Sequence, residues 1–223
     1  KCDILLDQNF YQDVNARYKK LVLNKCKLLL GPKYALLREE FLTKRSNLRN
    51  TEVTNILVYF GGSDIKNNTL KALEGIQLAK RVNLHVNVII SPDSPYREEI
   101  KRFSKGMQNT ICFDFIDNMA EMMNNSDLYI GSAGTTTWER SCMGLPSIVI
   151  GVAENQIEPM EAMHKAGMAF FLGGEENVTS TIISELLNSA LSNPSVLKKM
   201  REKNLDLVDG YGASRCASEM LIN

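Results

Sequence analysis

The sequence predicts an α/β fold built on a doubly wound parallel sheet, and three observations carry that prediction. From position 55 onward, six short apolar runs alternate with amphipathic stretches. The runs are rich in Val, Ile and Phe and mostly end at Gly, Ser or Pro, the pattern of strands buried on both faces. The order is strictly strand then helix, as right-handed crossover units require. Taken in turn, the strands are NILVYF (55–60), LHVNVII (84–90), TICFDF (110–115), DLYIG (127–131), PSIVIG (146–151) and MAFFLG (168–173). Helical patterns occupy 68–82, 96–105, 116–125, 136–143 and 158–166. Three more fill the tail: STIISELLNSALS, PSVLKKMREKNLDLV and GASRCASEMLIN. Pro194 suits the first turn of the second of these.

The first fifty residues follow a different pattern. CDILLDQN reads as one strand, and KCKLLLGPKYALLREEF as a strand, a Gly-Pro turn and a short charged helix. LTKRSNLRNTE reads as a polar, basic linker, which divides the chain into 1–50 and a well-formed domain at 51–223. The chain opens KCDILLDQNF, without Met and inside a strand, so a fragment of a longer protein is expected.

Bulk composition excludes several classes. The 223 residues are 44% hydrophobic and 23% charged, ordinary values for a globular protein. Lys and Arg (26) balance Asp and Glu (26), leaving no net field for nucleic acid or an anionic membrane. Any anion must therefore be held by local geometry. Cys2, Cys26, Cys112, Cys142 and Cys216 are scattered without a CxxC pair, which suits reduced thiols and a cytoplasmic location. With His85 and His164 as the two histidines and no His/Cys cluster, no metal site is expected, and no other cofactor is called for. No run approaches the roughly twenty apolar residues that membrane insertion requires.

A doubly wound sheet binds ligands at the C-terminal ends of its strands, where strand order reverses. Three loops there are candidates. Gly61-Gly62-Ser63 joins the first strand to a helix; glycine lets backbone approach a ligand, and a helix N-terminus offers free N–H groups. It is neither a Walker A loop nor GxGxxG, and a plain tight connection is the competing reading. The second loop, Ser132-Ala133-Gly134-Thr135, precedes a helix that Thr135 or a neighbouring threonine is expected to cap. Its N–H and hydroxyl groups suit a diphosphate. Glu139, one turn further on, is read either as an acceptor for a ribose diol or as a surface partner of Arg140. Trp138 suits the core better than a base-stacking platform. In the third loop, Glu154, Asn155 and Gln156 reach toward the same cleft or serve as caps and turn residues.

Gly61-Gly62-Ser63, the turn at 131–135, Glu139, Gly144-Leu145-Pro146, Asn155-Gln156 and a helix ending HKAG together resemble the MurG-type glycosyltransferases. CDILLDQN, LLGPKYALLREEF, GGSDIKNNTLKAL and AENQ further resemble, in order, the signatures of the UDP-sugar hydrolases of pseudaminic acid biosynthesis, from Cys2 to about Gly173. The resemblance implies the Rossmann-like C-terminal half of a GT-B fold with a remnant of the N-terminal domain. It implies a UDP-sugar ligand, with diphosphate on Ser132, Gly134 and Thr135, ribose on Glu139 and uracil near Phe115-Ile116. Asn155 is then the residue that orients sugar or water. In that family water displaces UDP from UDP-2,4-diacetamido-2,4,6-trideoxy-β-L-altropyranose. This sequence departs from the family in lacking its Gly-His loop, for which neither His85 nor His164 substitutes. The water-activating group is therefore expected in a missing N-terminal or fused domain. A glycosyltransferase and a non-catalytic sugar-nucleotide module are the alternatives. Apolar surface at a severed edge would favour a homodimer.

Overall fold

All six apolar runs become strands of one parallel sheet: β3 (Asn55–Tyr59), β4 (His85–Ile89), β5 (Thr110–Phe113), β6 (Leu128–Ser132), β7 (Ser147–Gly151) and β8 (Phe170–Gly174). The computed structural model describes residues 2–45, 52–81 and 83–221. The sheet order is β5-β4-β3-β6-β7-β8, so the chain works outward from β3 to one edge, then returns to β6 and works outward to the other. A smaller parallel pair, β1 (Ile4–Asp7) with β2 (Lys27–Leu30), stands apart.

Alternation along the central strands sorts side chains onto two apolar layers. Ile56, Val58, Leu128, Ile130, Ile148 and Ile150 face one side, against α3 (Asn68–Leu78) and α8 (Ser180–Leu191). Leu57, Tyr129 and Val149 face the other. They meet α5 (Met119–Asn124), α6 (Thr136–Cys142) and α7 (Ile157–Lys165) through Met123, Trp138, Cys142 and Met163. Helix α4 (Arg97–Lys105) contributes Ile100 to the first layer, and α9 (Pro194–Leu207) contributes Leu197. Trp138 is a core residue, as its sequence context suggested.

The segment ahead of position 46 is tied to this domain. Helix α1 (Val14–Tyr18), capped by Asp13, was not anticipated from the sequence. Helix α2 (Glu39–Thr43) buries Phe41 completely in the second layer. Arg45 donates from Nε to the Cys142 carbonyl (3.2 Å) and from Nη2 to the Leu205 carbonyl (2.5 Å). The last helix, α10 (Gly212–Leu221), crosses back to the 3-10 turn Pro32–Tyr34, where Arg215 donates to the Lys33 carbonyl (2.9 Å). Lys27 of β2 pairs with Glu219 of α10. Residues 46–51 of the expected linker, Val82 of the expected 68–82 helix and the last two residues of the tail helix lie outside the described residues.

The pairing of β3 with β6 is held at both ends. At its start, Asp127 accepts from the backbone N–H groups of Thr54 (3.0 Å) and Asn55 (2.8 Å). At its finish, Tyr59 lies opposite Gly131, and the Tyr129 hydroxyl donates to the Tyr59 carbonyl at 2.5 Å. A Cβ on Gly131 would sit 1.9 Å from that carbonyl oxygen and 2.4 Å from the Tyr129 hydroxyl. Glycine is therefore required by close approach. Overpacking a buried site costs about 1–3 kcal/mol, more where backbone is the obstacle. Gly131→Ala is accordingly expected to destabilise the chain by about 3 kcal/mol or more, read by urea denaturation; a midpoint shift equivalent to under about 1 kcal/mol would contradict this packing.

Candidate functional site

Strand order reverses between β3 and β6, so the loops leaving these strands flank the crevice where such sheets bind ligands. Gly61 (φ +62°) and Gly62 (φ +45°) adopt left-handed backbone, and no neighbouring atom crowds either Cβ position. Conformation, more than space, selects glycine there. Across from them run Ser132, Ala133, Gly134 and Thr135.

Two clefts open on this turn. The first, about 550 Å³, is lined by Gly61, Gly62, Ser63, Ser132, Thr136 and Glu175, among others. The second, about 330 Å³, lies between the large sheet and the end of β1, with Gln8, Asn9, Ala133, Thr137, Trp138 and Asn155 in its walls. Gly134, Thr135 and Gln156 line both. Gln156 is fixed because its Oε1 accepts from the Val152 backbone N–H at 3.0 Å, which leaves its amide NH₂ free to donate. Asn155 is exposed on a single turn of 3-10 helix, Glu154–Gln156. Outside this lining, Arg17 of α1 grips both carboxylate oxygens of Glu158 on α7 (3.0 and 2.9 Å) and ties the N-terminal segment to that helix.

The structure thus brings Gly61, Gly62, Ser63, Ser132, Ala133, Gly134, Thr135, Asn155 and Gln156 to one crevice. It corrects several details around them. The first two N–H groups of helix α3, behind the Gly-Gly-Ser loop, are already taken. The Asp64 carboxylate accepts from Asn68 N (2.8 Å) and Thr69 N (2.9 Å), and so caps the helix. Thr135 makes no side-chain cap bond, and α6 is seven residues long, too short for a large dipole. Donors for an anion are therefore the backbone N–H groups of the turn itself, with the hydroxyls of Ser132, Thr135 and Thr136 beside them.

Glu139 and Arg140 are not partners. Neighbouring residues on a helix point in different directions. Arg140 is buried against the sheet, whereas Glu139 faces Arg38, whose Nη2 lies 3.8 Å from its Oε1 and 2.7 Å from Glu40 Oε1. Burial raises the Glu139 carboxyl above its usual range; Arg38 opposes this and Glu40 adds to it. Glu139 lines neither cleft. Phe115 is 73% exposed just past β5, and Ile116 packs on the second apolar layer. With β4 between β5 and β3, that position is about 10 Å along the sheet from the glycine loops. Gln8, Asn9, Arg38, Asp64 and Thr137 were not singled out from the sequence.

Charge in the site is sparse. Lys66, in the first cleft, is paired with Glu175 at 3.3 Å, and Glu175 also accepts from Asn68 Nδ2 at 2.5 Å. Among the described residues no Lys or Arg lines the second cleft. Among the described residues no cluster of His, Cys, Asp or Glu could hold a metal ion, and no helix is long and apolar enough to cross a membrane.

Residues 55–211 match the model of the glycosyltransferase family 28 C-terminal domain. A spore coat polysaccharide biosynthesis protein, SpsG of Bacillus subtilis, is 25% identical over 92% of this chain and 60% of its own length. The UDP-2,4-diacetamido-2,4,6-trideoxy-beta-L-altropyranose hydrolase of Campylobacter jejuni is 30% identical over 74% of this chain and 58% of its own. Among solved structures, MurG of Acinetobacter baumannii superposes with a TM-score of 0.70 at 15% identity, over 99% of this chain and 66% of that one. The chain spans less than two thirds of the length of each of these proteins.

Because burial raises the Glu139 pKa, its contribution to folding stability is greatest below the ordinary carboxylate range and is lost as pH rises through the raised value. Glu139→Gln should therefore melt higher than the parent at neutral pH, with the difference shrinking at about pH 4. Thermal melts at the two pH values check this; a variant that melts lower at neutral pH contradicts it.

Proposed function

From the premise that the chain belongs to the glycosyltransferase family 28 C-terminal domain family, we propose that it binds a UDP-sugar at the β3–β6 crevice. One observation carries the reading: three separate strand ends meet on two adjoining clefts, the glycine loop lining the first, Asn155 the second, and Gly134, Thr135 and Gln156 both. The turn at Ser132–Thr135 holds the diphosphate by backbone N–H and hydroxyl donors. Glu139 takes the ribose diol, with Arg38 held beside it. The uracil extends toward Phe115-Ile116, and the sugar meets Asn155 and Gln156 in the second cleft.

The reaction we propose for the whole protein is hydrolysis of UDP-2,4-diacetamido-2,4,6-trideoxy-β-L-altropyranose to UDP and free sugar, in line with the named activity of the Campylobacter jejuni relative. Departure of UDP places negative charge on the diphosphate, and donors fixed in advance at the turn stabilise it in the transition state. Asn155 orients the sugar or the attacking water. Neither step requires a metal ion if these donors suffice. A second reading, transfer to an acceptor hydroxyl, is favoured by the family's name and by the MurG-like fold.

UDP at millimolar concentration should raise the melting temperature of the chain, and Glu139→Ala should remove most of that increase. Absence of any shift would count against nucleotide binding. Binding should weaken as pH falls through the raised carboxyl range of Glu139, since the protonated acid loses acceptor capacity. For the complete protein, release of UDP without added acceptor, reduced at least about tenfold by Asn155→Ala, separates hydrolysis from transfer. Strict dependence on an acceptor favours transfer.

A further inference from the structure

Arg140 is the largest fully buried side chain among the described residues, at 1% exposure. Among the described residues it has no carboxylate partner. Its guanidinium touches neutral groups: Nη1 donates to Ser147 Oγ at 2.8 Å and Nη2 to Thr137 Oγ1 at 3.2 Å. Nη2 also lies 3.6 Å from Met160 Sδ, and the Tyr129 ring centroid is 5.5 Å from Cζ. Nε is buried without a hydrogen-bond partner. Burial lowers the Arg140 pKa to about 10, which leaves it protonated at neutral pH. A buried cation with no counter-anion is strongly disfavoured, and an apolar residue of similar volume would avoid that cost. Such a charge calls for an anion that the chain itself does not provide.

The anion's place is indicated by Thr137 and Met160. Both contact Arg140 on one side and line the second cleft on the other, so the guanidinium lies one side-chain layer behind that wall. A threonine hydroxyl has one proton and two lone pairs. Arg140 donates onto a lone pair, and the hydroxyl proton has no acceptor among the described residues. The Thr137 hydroxyl is thereby obliged to act as a donor, strengthened by the cation behind it. Among the described residues no Lys or Arg lines this cleft, so Arg140 is the cation set directly behind its wall.

We propose that Arg140 is the fixed countercharge for the ligand's diphosphate where it sits on the turn at the wall of the second cleft, acting through the Thr137 hydroxyl as a positioning residue. The inference rests on the nucleoside-diphosphate reading above. It adds Thr137 as a direct ligand-binding residue and a buried arginine as the source of its polarity. A purely structural Arg140, tying α6 to the start of β7, would not discriminate between ligands with and without phosphates.

The test compares UDP, uridine and inorganic pyrophosphate by calorimetric titration. The proteins are the parent, Arg140→Met, Thr137→Val, Thr137→Ser and the Arg140→Met/Thr137→Val double variant. Loss of a charge-assisted hydrogen bond predicts weakening of UDP and pyrophosphate binding by about tenfold or more in Arg140→Met and Thr137→Val, with uridine unchanged. Thr137→Ser should retain parental affinity. The double variant should be no weaker than the more damaged single one, because the two residues act as a unit. Equal loss for UDP and uridine, undiminished UDP binding, or penalties that multiply in the double variant would overturn the proposal. Should Arg140→Met fail to fold, the contrast between Thr137→Val and Thr137→Ser decides it alone. A parent chain that binds UDP no better than uridine defeats the diphosphate reading and this inference with it. A parent that prefers UDP, with variants that keep the preference, defeats this inference alone.

Discussion

The pairing of β3 with β6 is the constraint on which the rest depends. These are the first and fourth strands of the main domain in sequence, yet they are neighbours, and the chain leaves them in opposite directions across the sheet. The loops at their C-terminal ends must therefore stand side by side with no helix covering the gap. Asp127 secures the lower end of the pair, and the Tyr129 hydroxyl secures the upper end by donating to the Tyr59 carbonyl over a glycine. Removing the side chain at Gly131 allows that approach, and Gly61-Gly62 then turns away in a backbone conformation that other residues adopt at a cost. The position of the clefts follows from these contacts.

The site economises on exposed charge. Lys66 is neutralised by Glu175, Asp64 is spent on capping α3, and Arg38 is shared between Glu40 and Glu139. What remains for an anion is a turn rich in N–H and hydroxyl groups, backed by a buried guanidinium. This arrangement suits reversible binding of a nucleotide that must later leave, because neutral donors grip less tightly than a ring of lysines. It also agrees with a chain whose net charge is zero.

Much of the architecture was legible because burial writes a strong pattern. The six strands match the expected runs to within two residues at either end, β6 and β8 each reaching one residue further, since runs such as SIVIG leave no doubt about burial on both faces. The main helices likewise begin within three residues of expectation. Helix α1 escaped notice for the opposite reason: VNARY buries nothing and is held by its Asp13 cap. The meeting of the three loops at one crevice was legible from glycines and polar residues at strand ends, but their electrical detail was not. Adjacency in sequence left a Glu139–Arg140 pair open as one reading, whereas helical geometry sends the two side chains apart and Glu139 instead neighbours the distant Arg38. Parallel strand pairing is equally silent in sequence. It brings Cys2 and Cys26, read as scattered, to 3.1 Å between sulfurs, and it places Gln8 and Asn9 opposite Asn155 across the second cleft.

The central claim is that a nucleoside diphosphate sits on the turn between the two clefts. Backbone amide NMR of the chain titrated with UDP tests it most directly. The account predicts saturable shifts concentrated at Ser132–Thr137, Gly61–Ser63 and Gln156, with Glu139 perturbed and the opposite end of the central strands, near Glu52 and Arg81, unchanged. Shifts clustered at that opposite end, or spread evenly without saturation, would contradict it.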